Sequence, residues 1–166
     1  MAANTAGVIQ NFRKELLCGS HAFGSQAANG TRTATTKDVF AIALYRVTSG
    51  IGIVSTNSSA YAVTNEVSAT GEYAAGGRSC ANATEPNFAT NTSYWTPSAS
   101  VSWTNVTKTG TNATDLAMLY NSSSTGKLAV ATFLLGTQDV GQAPSAGTFT
   151  LTMPTNDQTT GLIRVL

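Results

Sequence analysis

Apolar and polar residues follow two different periods along this chain, and the change of period divides it. Near the start, Val8, Ile9, Phe12, Leu16 and Leu17 recur close to helical spacing, with Gln10, Arg13, Lys14 and Glu15 between them. That spacing gathers the apolar set on one side of a 3.6-residue turn and predicts one short amphipathic helix. Thr5 is its expected N-cap and Gly19, after Cys18, its expected C′ stop. So short a helix persists only when Phe12 and Leu16 are buried, either on its own sheet or on a neighbouring subunit. Gly24 to Lys37 has no period and reads as a loop or arm.

From Asp38 the period is that of strands. Asp38 to Val47 is strongly apolar, as in a strand buried on both faces, and Ser49 to Ala60 reads as a turn region. Tyr61 to Ala69 sets Tyr61, Val63, Asn65 and Val67 against Ala62, Thr64, Glu66 and Ser68, the period-two pattern of a half-buried strand. Thr70-Gly71 and Gly76-Gly77 bracket Tyr73 as tight bends. Arg78 to Ala83 reads as a short strand leading into a polar segment around Glu85-Pro86. After Pro97, Val101 and Trp103 share one strand face. Asp115 to Tyr120 and Lys127 to Leu135 flank Asn121 to Gly126, the clearest hairpin of the chain. Thr148 to Met153 and Gly161 to Leu166 close it, joined by a turn at Pro154 to Asp157. Short strands punctuated by turn residues predict a mainly β fold, an antiparallel β-sandwich or jelly-roll-like domain with one short N-terminal helix. The expected division is residues 1–37 as helix and arm and 38–166 as a single β-sandwich domain.

Composition sharpens this picture. The chain has 166 residues, 42% of them hydrophobic, enough for one domain with a real core. Only 10% are charged, against about 25% in an ordinary soluble domain. A net charge of +1 provides no field to steer the chain to nucleic acid or an acidic membrane, so neither is an expected partner. The adjacent pair Arg13-Lys14 reads as the solvated side of the helix. The N-terminus shows no basic region followed by an apolar run, and no stretch is apolar for the roughly 18 residues that span a bilayer. Synthesis in a cytoplasm is expected, with Cys18 and Cys80 initially reduced; whether they pair stays open.

Candidate chemistry is sparse. His21, the one histidine, reads as an exposed loop residue without the nucleophile and carboxylate of a triad. Cys18, His21 and Cys80 fall short of a zinc motif. Glu66 and Glu72 are near enough in sequence to suggest a glycosidase pair or a calcium site, but no Asp-rich loop accompanies them. They read as a strand-edge and a turn carboxylate. No phosphate-cradling glycine motif occurs. Trp95 with Tyr94, and Trp103, read as core or interface, with sugar stacking as the alternative. No enzyme activity, cofactor or metal is expected.

Several of these stretches together resemble a family of small structural proteins of tailed bacteriophage particles. The matching pieces are 11–17 (NFRKELL), 39–45 (VFAIALY), 60–77 (AYAVTNEVSATGEYAAGG), 119–122 (LYNS), 129–133 (AVATF), 146–154 (AGTFTLTMP) and 161–165 (GLIRV). The block 64–71 (TNEVSATG), with its following double glycine, is the most specific. The resemblance implies a virion component, foremost a capsid cement or decoration protein that forms a homo-oligomer, a trimer or dimer, and bridges subunits of the major capsid protein. It carries no catalytic residue to transfer. The alternatives are a tail, baseplate or fibre-associated subunit, and a carbohydrate-binding module for host recognition. On this reading the expected assembly residues are Phe12, Leu16 and Leu17 on the helix, the arm 24–37, and Glu66, Gly71, Tyr73, Gly76 and Gly77 in the bend. Those glycines either permit close backbone approach or serve the local turn alone.

Overall fold

The most apolar runs of the chain become the centre of a five-stranded antiparallel sheet. The computed structural model describes residues 7–24, 37–46, 58–107, 113–135 and 147–166. Its elements are β1 (Gly7–Val8), α1 (Phe12–Leu17), β2 (Phe40–Arg46), β3 (Arg78–Ser79), β4 (Asn87–Ala89), β5 (Thr92–Trp95), β6 (Val101–Val106), β7 (Thr114–Asn121), β8 (Ala129–Leu134), β9 (Gly147–Leu151) and β10 (Ile163–Val165). The main sheet runs β1-β8-β7-β2-β3, beside a three-stranded sheet β10-β5-β4 and a two-stranded sheet β6-β9. All described pairings are antiparallel. The chain is thus a mainly β, sandwich-like protein with one short helix among the described residues.

Alternation along β2 and β7 assigns the two faces of the main sheet. Phe40, Ile42 and Leu44 stand opposite Asn121, Leu119 and Ala117 on one face. Ala41, Ala43 and Tyr45 stand opposite Tyr120, Met118 and Leu116 on the other. The first face meets the two smaller sheets: Phe23 stacks on Phe40 at 4.2 Å and meets the Trp95 edge at 4.8 Å. A second contact zone on this face leaves a partly open, mainly apolar pocket of about 250 Å³ between Ile42, Phe133 and Leu135 on one side and Leu151 and Met153 on the other. The other face is covered by the segment after Ala60, where Tyr61 stacks on Tyr120 at 4.7 Å.

The expected hairpin forms as β7–β8, and the expected buried strand as β2, whose residues Phe40 to Tyr45 are all buried. The end of α1 also follows its sequence. Gly19 takes φ +69°, and Ser20 N–H and Gly19 N–H donate to the carbonyls of Glu15 and Leu16. This is the paired closure that glycine at C′ permits.

Several expectations are corrected. The helix starts at Phe12, capped by Asn11 without a side-chain bond; Val8 belongs instead to β1, paired with Ala131 of β8. Thr5 lies outside the described residues. Leu17 is 92% exposed, because it follows Phe12 by five residues and turns off the buried stripe. Residues 61–69 do not form a regular strand. Turns at 63–65 interrupt them, Asn65 takes φ +64°, and their backbone pairs with the sheet through one isolated bridge, Glu66–Tyr45. The region before Pro97 contains a hairpin missed in the sequence, β4–β5, whose two-residue tip Thr90-Asn91 has positive φ at both positions. The two C-terminal strands join different sheets, β9 with β6 and β10 with β5. The arm lies outside the described residues between its ends, at 25–36.

Candidate functional site

Glu66 was expected at a strand edge; it is buried, 6% exposed. The turn before it and the bends after it fold the segment over β2, so three donors converge on one carboxylate. Tyr61 O–H donates to Oε2 at 2.7 Å. Tyr73 O–H and Gly76 N–H each donate to Oε1 at 2.8 Å. The Tyr73 hydroxyl in turn accepts Leu44 N–H at 2.7 Å, which ties the segment to an edge of β2. Tyr120 O–H donates to Gly76 C=O at 2.8 Å, and Tyr45 O–H to Ala62 C=O at 2.8 Å. Burial first, and the Glu66 charge after it, push the hydroxyls of Tyr61, Tyr73 and Tyr120 above the ordinary tyrosine value. Burial does the same for Tyr45. Held by three donors, the carboxylate ties the bend to β2.

Glu72 faces elsewhere and forms no pair with it. Its Oε2 accepts Thr104 N–H of β6 at 2.9 Å and Arg78 at 3.3 Å. The Thr104 bonds, with the Arg78 charge behind them, hold this carboxyl below its usual range. The glycines of the bend do more than turn. Gly77 takes φ +71°, and a Cβ there would run into the Ile42 carbonyl of β2; at Gly71, φ +55°, it would run into the Asn105 carbonyl of β6. Both glycines therefore admit close approach between two backbones.

His21 was expected to be an exposed loop residue; its side chain is fully buried. It lies among the rings of Phe12, Phe23 and Phe40. Nε2 lies 3.0 Å from Glu15 Oε2, and Nδ1 lies 3.2 Å from Asn121 Nδ2. The amide Nδ2 has no acceptor capacity, so this pattern assigns the neutral tautomer with its proton on Nε2. The two Nδ2 hydrogens of Asn121 face three acceptors: one goes to Asp38 Oδ2 at 2.7 Å, and the other is shared between His21 Nδ1 and Ser20 C=O at 3.3 Å. Asp38 Oδ2 accepts Ala22 N–H at 2.7 Å as well. The Glu15–His21–Asn121–Asp38 chain resembles a catalytic relay in outline, but an amide occupies the place of a nucleophile and the imidazole has no access to solvent. Nothing in the sequence placed Asn121 or Asp38 beside His21, because they lie 100 and 17 residues away.

Over this cluster opens a groove of about 450 Å³ between α1 and the sheet β10-β5-β4, lined among others by Phe12, Leu16, Phe23, Tyr94, Trp95 and Val165. Trp95 and Trp103 are core residues, 2% and 0% exposed, so neither presents a ring face to a sugar. Of the expected assembly residues, Phe12, Glu66 and Tyr73 are buried within the chain, Leu16 packs at the groove, and Gly76 and Gly77 are partly covered. Gly71 and Leu17 reach the surface. Among the described residues no three metal-binding side chains gather, and no helix is long and apolar enough to cross a membrane. Cys18 is exposed and Cys80 buried, and both are free thiols.

These features define the chain at the level of fold class, as a mainly β, sandwich-like protein with two internally hydrogen-bonded polar clusters. Comparison with family models, with curated proteins and with solved structures finds no match.

Proposed function

We propose that this chain is a structural protein of a tailed bacteriophage particle, and within it a capsid cement or decoration protein that binds coat subunits and stabilises the head shell. The observation that carries the reading is the contrast between interior and exterior. The carboxylates of Glu66 and Asp38 and the imidazole of His21 are turned inward and held by internal hydrogen bonds. Outside, Leu17, Val63 and Phe88 stand exposed on a chain with only 10% charged residues. A neutral exterior with scattered apolar side chains suits contacts that bury matched surface against other protein. The block 64–71 with the double glycine Gly76-Gly77, most specific for the phage resemblance, joins the segment to β2 and β6, which suits a scaffold. The partners are the major capsid protein and further copies of this chain, in a dimer or trimer.

The test is binding to particles. Purified chain should co-sediment with assembled, expanded heads and raise the temperature at which they release their DNA. Recovery on purified tails with no binding to heads would overturn the cement reading and leave a tail subunit.

A further inference from the structure

We propose that protonation of His21 is coupled to the exposed tip of the β7–β8 hairpin through the carboxamide of Asn121. Asn121 is engaged on both sides. Its Nδ2 serves His21 Nδ1, Asp38 Oδ2 and Ser20 C=O. Its Oδ1 accepts Ser123 N–H at 3.0 Å and Ser124 N–H at 3.1 Å, closing the hairpin turn. The side chain is wholly buried, and its two N–H hydrogens are already divided among three acceptors.

The neutral imidazole fits because Nδ1 accepts. A second proton on Nδ1 sets N–H against N–H and removes that acceptor. Turning the carboxamide over satisfies Nδ1, but it then aims Nδ2 at the N–H groups of Ser123 and Ser124 and takes the donor from Asp38. Either arrangement breaks bonds at the buried end or at the tip, so the two ends are linked. The titratable groups facing the imidazole are Glu15 on α1 and, through Asn121, Asp38 ahead of β2. The remaining neighbours are the rings of Phe12, Phe23 and Phe40, and an ion pair between Lys37 and Glu85 belongs to the same region. The tip itself presents Ser123, Thr125, Gly126 and Lys127 to solvent. A buried proton thereby alters a surface that a partner can read.

A single histidine makes the test direct. In the full-length chain, the ring carbon signals of His21 and the amide signals of Ser123 and Ser124 are followed by NMR while pH is lowered, together with amide exchange at the folded end points. The amides should move with the same midpoint as the ring and lose about tenfold in exchange protection, as expected for one lost hydrogen bond. In His21→Gln, which does not titrate, this step should vanish from the amides. The proposal is overturned by a ring that titrates while the amides stay still, by a ring that never titrates before the chain unfolds, or by a step that survives in His21→Gln. The last outcome would assign the step to Glu15 or Asp38.

Discussion

The two polar clusters lie on opposite faces of the main sheet and are assembled in opposite ways. The Glu66 cluster draws Tyr61, Glu66, Tyr73 and Gly76 from one stretch of chain and meets the sheet at Tyr45 and Tyr120. The His21 cluster joins residues from α1, from the segment ahead of β2 and from the end of β7. In the first, one carboxylate collects donors and every loss leaves several groups unpaired. In the second, the bonds run in series, and apolar rings surround the imidazole on its remaining sides. Convergent cages lose much when their centre is removed, whereas a linear relay loses one link at a time. The two clusters should therefore differ in sensitivity.

Gly77→Ala should be the most damaging change at the Glu66 cluster. It adds a Cβ against the Ile42 carbonyl at positive φ, at a cost of about 3–4 kcal/mol in a urea unfolding midpoint. Glu66→Ala should follow at about 3 kcal/mol, since it strands two tyrosine hydroxyls and the Gly76 N–H. Glu66→Gln should cost about half as much, because the amide keeps Oε1 and the Tyr61 hydroxyl can turn to accept. On the other side, His21→Phe should cost only about 1 kcal/mol: the ring packing survives and Glu15 loses one donor. Equal losses for Glu66→Ala and His21→Phe would break the comparison.

Alkaline pH sharpens the same contrast. Burial and Glu66 raise the folded values of Tyr61 and Tyr73. Their contribution to stability is complete below the ordinary tyrosine value of about 10 and falls as pH rises above it toward the raised folded values. Tyrosinate absorbance from these residues should thus appear together with loss of the circular dichroism signal. Gradual ionisation near pH ~10 with the fold intact would contradict a closed cluster.

Thiol labelling separates core from surface. Cys80 is buried, and its thiol is pushed up to about 12, so at neutral pH a thiol reagent should modify Cys18 alone until the chain unfolds. Fast reaction of both would place Cys80 outside the core.

The smallest effect is expected far from both clusters, at Asp157. Bonds from Thr160 and Thr159 hold its carboxyl well below the usual range. Its contribution is full above the ordinary aspartate value of about 3.9 and is lost as pH falls through the lowered folded value. The difference in melting temperature between parent and Asp157→Ala should be small at neutral pH and shrink further in acid.

Local chemistry accounts for much of what could be read in advance. Period two and the Asn/Ser/Gly loop specify β7–β8, and Gly19 ends α1, because both signals act over a few residues. The region 60–77 was only half legible: its bends at Gly71 and Gly77 were visible, but alternation suggested a strand where Asn65 turns the chain. Period two records which side chains are buried and not whether the backbone between them stays extended. Leu17 shows the same limit, since an apolar residue one position off the stripe looks no different in sequence.

By itself, the sequence determines a mainly β chain with one short helix, a buried central strand, a hairpin at Asn121 and a surface poor in charge. Those properties depend on residue type and near-neighbour spacing. Only the tertiary structure decides that Glu66 and His21 are interior groups, that β9 and β10 part to different sheets, and that Asn121 stands between the imidazole and the hairpin turn. A buried polar side chain is stable only where its partners are, and those partners come from strands brought together by the fold as a whole.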